Sequence, residues 1–124
     1  MNLSMEKKKD WEETLKSYNL IKEGETIEEH TKGDYYTFFE QKRGNYFFTK
    51  DAVIFVSGYG VNNVVMPYKN MKEIKKCFVG PFIPTGIKLS VVDEKGKNKK
   101  HKLSVMKRGN WMEYIAKRAG LPLQ

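Results

Sequence analysis

Two histidines, one cysteine and a lysine-rich tract are the residues of this chain whose types could carry chemistry. His30 and His101 fall on predicted strands. Neither has a neighbour at a spacing that makes a metal pair or a nucleophile and base pair, so both read as structural histidines, partly buried or at the surface. Cys77 is the single cysteine and sits between Lys76 and Phe78. It has no second thiol for an internal disulfide and no nearby histidine for a metal, and it reads as a buried, inert thiol. Gly58, Tyr59 and Gly60 lack the following helix and lysine that a phosphate-cradling loop requires, and they read as a turn. These absences predict a protein that is not an enzyme and has no cofactor or metal.

The lysine tract is the positive candidate. Lys95, Lys97, Lys99, Lys100 and Lys102 crowd one short stretch, and the chain as a whole carries a net charge of +8. The charge is uneven: residues 1–34 hold six basic and nine acidic groups, whereas residues 35–124 hold seventeen basic and six acidic. Twenty of the 23 cations are lysine, a hydrated point charge without the planar fork that reads phosphate or guanine bidentately. No aromatic lies within the tract to stack a base, which argues against nucleic acid as a partner. The bland reading of such a tract is a solvated hairpin whose charges keep strand edges from aggregating.

The elements that must position these residues are mostly strands. The most ordered signal is the stretch 44–58, where two runs of β-branched and aromatic residues, 46–49 and 52–57, are separated only by Lys50 and Asp51. So short a link forces an antiparallel hairpin. In the second run Val53 and Phe55 point to one face and Ile54 and Val56 to the other, which predicts a central strand with apolar groups on both sides. Gly44 and Gly58 bracket the hairpin as expected sharp turns.

Upstream, Trp11, Leu15 and Tyr18 at i, i+4 and i+7 predict a helix over 5–19 with a narrow apolar stripe, which needs a surface to dock on. Lys7, Lys8 and Lys9 do not make a membrane anchor, because Glu6, Asp10, Glu12 and Glu13 surround them. Residues 26–31 and 35–39 read as two halves of a first strand bent at Gly33, and 41–44 as the turn before the hairpin. Further strands are expected over 61–66, ended by Pro67, and over 75–79, with a corner or single helical turn at 68–74. Cleaner alternation follows at 87–92 and 99–106. Ile87, Leu89 and Val91, and His101, Leu103 and Val105, face the core across a hairpin loop at 93–98. In the loop 80–86, prolines flank Phe82 and Ile83, which are either presented to a partner or folded back over the protein's own end. At the end of the chain Asn110 and Glu113 have capping-box spacing. Trp111, Met112, Ile115, Ala116 and Ala119 make one apolar arc, and Gly120 with Pro122 stops the helix.

The order Gly44, Asn45, Tyr46, Phe47, Phe48, Thr49, Lys50, Asp51, Ala52, Val53, Ile54, Phe55 resembles the second and third strands of GRAM and bacterial pleckstrin-homology-like domains. Lys50 and Ala52 depart from the pattern, where Asn and Arg are usual. The resemblance extends over the element order of residues 24–120. It implies a mainly β fold: a partly open barrel of about seven antiparallel strands in two sheets, closed at one end by the C-terminal helix with Trp111 as its plug. On this reading residues 1–22 are a helical extension and 23–124 the domain.

Such domains often bind anionic headgroups through interstrand loops that gather on one rim, which by resemblance would unite Lys42 and Arg43 with Lys95, Lys97, Lys99 and Lys100. Asn45 and Phe47 stand where phosphoinositide-binding members carry basic residues, which speaks against specific inositol-phosphate recognition. At about 1 kcal/mol per basic residue, four or five lysines give roughly 4–5 kcal/mol, about millimolar binding.

The expected function is therefore a non-enzymatic binding or scaffolding module for a protein partner or a second copy. Trp11, Leu15, Tyr18, Phe82 and Ile83 would be its contacts. The alternative is a peripheral module that binds an anionic membrane through the basic rim. With no secretory signal or bilayer-length apolar run in the sequence, a cytoplasmic location is expected, peripheral to the membrane on the alternative reading.

Overall fold

A computed structural model describes residues 3–58, 62–79 and 83–123. Two helices and seven strands follow in chain order: α1 (Met5–Ser17), β1 (Glu29–Tyr36), β2 (Gln41–Phe48), β3 (Ala52–Ser57), β4 (Val64–Pro67), β5 (Met71–Val79), β6 (Ile83–Val92), β7 (Asn98–Val105) and α2 (Arg108–Ala119). A single 3-10 turn, Tyr68–Asn70, links β4 to β5 at the predicted corner. All neighbouring strands run antiparallel, in the order β4-β3-β2-β1-β7-β6-β5. The expected two sheets are continuous, because β1 pairs with β2 along its whole length and, on its other edge, with β7 from Gly33–Val105 to Tyr36–Lys102. The sheet stays open, with β4 and β5 as its edges. One edge is four residues long and ends in Pro67; the other carries exposed lysines and two register irregularities, devices that discourage edge pairing.

The ribbon β2–β3 is buried on both faces. Inward, Tyr46, Phe48, Val53 and Phe55 join the core that β5–β7 and α2 complete through Ile74, Leu89, Leu103, Met112 and Ile115. Outward, Phe47, Ile54 and Val56 form a second cluster with Leu15, Ile21 and Ile27. The apolar stripe of α1 thus docks on its own sheet. Ser4 starts the helix by accepting the Lys7 N–H on its hydroxyl at 3.2 Å, and Glu12 accepts the Ile27 N–H at 2.7 Å, tying the helix to the chain that returns toward β1. Trp11 lies 4.7 Å from Phe47, ring to ring, and Leu15 is wholly buried.

Several boundaries differ from the sequence expectation. β1 runs unbroken through Gly33, and residues 26–28 precede it as extended chain. The turn falls at 37–40, so 41–44 is strand and Phe38 and Phe39 sit in the turn. Gly44 is no turn residue either. It faces Gly33 across the ladder, and a Cβ on it would lie 2.1 Å from the Val56 carbonyl oxygen. A Cβ on Gly33 would meet the Ser104 carbonyl oxygen at 2.6 Å. Both glycines admit a neighbouring strand's backbone, Gly44 that of β3 and Gly33 that of β7. β5 begins at Met71 and β6 at Ile83, each earlier than predicted, because cross-strand pairing extends the regular segments. α2 starts at Arg108, and its N-cap is Lys107 in a left-handed conformation (φ 55°) whose carbonyl accepts from Asn110 and Trp111 N–H. Asn110 is therefore inside the first turn, with no capping role. Gly120 (φ 68°) closes the helix as predicted. The ring of Trp111 stacks on Phe48 at 4.5 Å and 6°.

Gly44→Ala is expected to destabilise the protein by more than about 3 kcal/mol in urea unfolding, since the methyl must displace backbone. Gly58→Ala, whose Cβ would have its nearest neighbour at 4.0 Å, should stay within about 1 kcal/mol of wild type.

Candidate anion-binding rim

Strand register decides which loops meet. Tyr36 pairs with Gln41 on one side and Lys102 on the other, and Val92 pairs with Asn98. The β1–β2 turn and the β6–β7 hairpin therefore project from the same end of the sheet. The end of β3 joins them, since Gly44 pairs with Ser57 and the Gly58 N–H donates to the Arg43 carbonyl at 3.1 Å. α2 and its Trp111–Phe48 stack lie at the opposite end.

The hairpin is shaped by Asp93, whose side chain accepts the N–H groups of Lys95 and Lys97, both at 2.9 Å, while Gly96 takes the left-handed corner (φ 79°). Lys95, Lys97, Lys99 and Lys100 are exposed on it, with Lys99 3.9 Å from Asp93. Lys42 and Arg43 belong to β2 rather than to a loop. Lys42 shares the inward face of Tyr46 and Phe48, is mostly covered, and pairs with Glu40 at 3.6 Å. Arg43 alternates with it and sits on the outward face. The register thus brings the six predicted basic residues to one end, with Lys42 and Arg43 on β2, separated from the hairpin by β1.

The pairing also recruits residues that lie far apart in sequence. Lys75 of β5 is opposite Lys88 of β6, which is opposite Lys102 of β7. Like charges directly across a ladder destabilise a sheet, and Lys75 is relieved by Glu73 at 3.3 Å. No spacing rule finds this row, because the β5–β6–β7 register alone creates it. The turn 37–40 adds a second feature missed in the sequence. Phe38 and Phe39 are 94% and 91% exposed, their rings 4.9 Å apart and edge to face. A turn containing consecutive phenylalanines where Gly, Asn or Asp is usual was the available signal.

Tyr35 stacks on Phe55 at 5.4 Å, and its hydroxyl is hydrogen-bonded to His101 Nδ1 at 2.6 Å. Burial, with a smaller push from Lys99, lowers the pKa of His101. His30 is buried on the outer face beneath α1. Its Nε2–H donates to Asn45 Oδ1 at 2.8 Å, and its Nδ1 is buried without a partner among the described residues. Burial is also the largest cause holding its pKa below the ordinary value. The thiol of Cys77 is half-buried and raised in pKa, again by burial first. Neither histidine belongs to a group of three or more metal-ligand side chains among the described residues.

The contacts predicted for a partner separate. Leu15 and Trp11 are spent on the outer face of the sheet, because the helix stripe is the cover for Phe47 and Ile54. Tyr18 is 41% exposed. Ile83 is exposed at the start of β6, paired with Val79 and close in sequence to exposed Phe78 on β5. Phe82 lies outside the described residues, as do Tyr59, Gly60, Val61, Gly80 and Pro81.

No protein-family model and no curated protein sequence matches the chain. Solved structures do. The C-terminal domain of an unknown protein from Leishmania infantum matches with a TM-score of 0.71 at 15% identity, over 90% of this chain and 95% of that one. The Vps36 N-terminal PH domain matches at 0.57 and 15% identity, over 82% and 83%. The DH/PH domains of p115-RhoGEF match at 0.63 and 11% identity, over 95% of this chain and 42% of theirs. The fold is pleckstrin-homology-like. At these identities the likeness concerns fold alone. No helix among the described residues is long and apolar enough to cross a membrane.

Both histidines have folded-state pKa values below those of the unfolded chain, so protonation favours unfolding. The stability they confer is complete above about pH 6.5 and is lost as pH falls through the folded values. Thermal melts should show a midpoint that drops between about pH 7 and 5, and the double variant His30→Gln, His101→Gln should flatten that slope.

Proposed function

We propose that the protein is a non-enzymatic module that attaches peripherally to anionic membrane surfaces through the basic end of the barrel. The observation that carries this reading is the convergence of Lys97, Lys99 and Lys100 with the cross-strand row Lys75, Lys88 and Lys102, which β-pairing gathers despite the cost of opposing like charges. An anionic surface would relieve that repulsion. The charges stand on an exposed hairpin and along a cross-strand row, which favours contact with a charged surface over stereospecific capture of one headgroup. Lysine, a point charge, suits such contact.

A second reading, contact with a protein partner or a second copy, is favoured by exposed Phe78 and Ile83 near the opposite end. It has lost its strongest sequence argument, the unpaired helix stripe, now satisfied within the chain. Light scattering of wild type against Phe78→Ser, Ile83→Ser would reveal self-association through that patch.

Cosedimentation with phosphatidylserine vesicles tests the leading reading. Replacing Lys97, Lys99 and Lys100 by Glu should remove at least roughly 3 kcal/mol, about a hundredfold in affinity, and added salt should weaken wild-type binding in parallel. Binding indifferent to both would sink it. Lys88→Thr should act in opposite senses, raising unfolding stability by a few tenths to about 1 kcal/mol while weakening vesicle binding.

A further inference from the structure

The end of the sheet away from the basic rim holds a cleft that the membrane reading does not use. Phe48 pairs with Val53 and Ala52 with Pro67, so the β2–β3 turn and the Tyr68–Asn70 corner meet there. The Tyr68 N–H donates to the Asp51 carbonyl at 3.0 Å, and the Thr49 hydroxyl accepts the N–H groups of Asp51 and Ala52, both at 3.2 Å. A third wall is the chain returning from α1, where the Lys22 N–H donates to the Glu25 carboxylate at 2.7 Å. The last turn of α2 supplies Arg118, whose guanidinium pairs with Glu28 at 2.9 Å and lies 4.3 Å over the Tyr114 ring. The space between these four segments is about 530 Å³, within the roughly 300–1,000 Å³ of small-molecule sites.

Two features of the cleft point to an anion. Tyr68 lines it and is only 4% exposed, yet its hydroxyl has no hydrogen-bond partner among the described residues. A buried donor left unpaired costs stability and calls for an explanation. Burial above all raises the pKa of this hydroxyl, so it keeps its proton to donate, and the charge of Arg118 acts on it. The second feature is the lining charge. Lys22, Lys50, Lys69 and Arg118 stand with Glu25 and Asp51, four cations against two carboxylates; Glu28, which orients the guanidinium, is outside the lining. The excess of two matches a doubly charged group, and Leu20, Val65 and Pro67 add an apolar flank. From this arrangement we infer that the cleft binds a small phosphate monoester, with its phosphoryl group at the Tyr68 hydroxyl and Arg118 and its organic part along Leu20, Val65 and Pro67. Arg118 brings the planar donor fork that lysine lacks, already held by Glu28 and the Tyr114 ring before a ligand arrives.

The site stands apart from the membrane reading, and calorimetric titration tests it with phenyl phosphate, inorganic phosphate and phenyl sulfate at about pH 8, where the phosphates are doubly charged. Phenyl phosphate should bind about tenfold or more tighter than phenyl sulfate, which carries one charge fewer, and than inorganic phosphate, which lacks an organic part. Tyr68→Phe keeps the ring and removes only the unpartnered hydroxyl. It should melt no lower than wild type while losing about tenfold in phenyl phosphate affinity, as for one hydrogen bond to a charged group. Lys50→Gln, at an exposed position, should lose severalfold with an unchanged melt. The variant with Lys97, Lys99 and Lys100 replaced by Glu should bind phenyl phosphate as wild type does, and Tyr68→Phe should bind phosphatidylserine vesicles as wild type does. Equal phenyl phosphate affinity of wild type and Tyr68→Phe, or no saturable binding by wild type at millimolar concentration, would overturn the site and leave the membrane reading standing. Phenyl sulfate bound as tightly would overturn the double charge, and inorganic phosphate bound as tightly would overturn the ester. Phenyl phosphate binding abolished by the rim substitutions would put the anion at the rim and overturn the cleft.

Discussion

The structure depends on a ribbon that is dry on both sides. Phe48 and Phe55 face one core and Phe47 and Ile54 another, so β2–β3 must have a layer above and a layer below. Below, the remaining strands and α2 supply it. Above, α1 and the chain that follows it do, through Leu15, Ile21 and Ile27. Most of the architecture follows from that demand: β1 joins β2 to β7 by pairing with one on each edge, and Gly33 and Gly44 admit the backbones of β7 and β3 where a Cβ would clash. The helix at the start of the chain satisfies the outer half. A marginal stripe of Trp11 and Leu15 suffices because the strand face it meets is already flat and apolar.

Much of this was legible in the sequence. Alternation on both parities in 52–57 gave the two-sided strand, the link Lys50–Asp51 gave its hairpin, and the apolar arc from Trp111 to Ala119 gave the closing helix. What misled was local chemistry that tertiary context overrode. Gly44 reads as a turn by composition, yet its role is to admit the Val56 carbonyl, a constraint that exists only once β3 is alongside. Phe38 and Phe39 read as strand because aromatic residues favour strands, but β1 ends where its pairing with β7 and β2 ends. Asn110 has the type and spacing of a cap, and the chain instead enters α2 through a left-handed Lys107.

The rim was legible in part, and for a definite reason. Lysines within one hairpin are visible as a tract, so Lys95 to Lys102 could be found. Lys75 and Lys88 are separated from them by whole strands, and their alignment is a product of register, which one sequence does not specify. The same holds for the Tyr35–His101 hydrogen bond: the two residues are far apart in the chain and meet only because β1 and β7 are neighbours. Composition thus announced a basic protein, whereas topology decided that its charge has a direction.

The position of α1 has a cost for any shortened form of this molecule. Lifting the helix away would leave Phe47, Ile54, Val56 and Ala52 as a bare hydrocarbon strip on an otherwise finished barrel. Such a strip seeks other chains. The first helix therefore serves as a solubility cover, and the strands it shields would behave, without it, as the adhesive side of a tape.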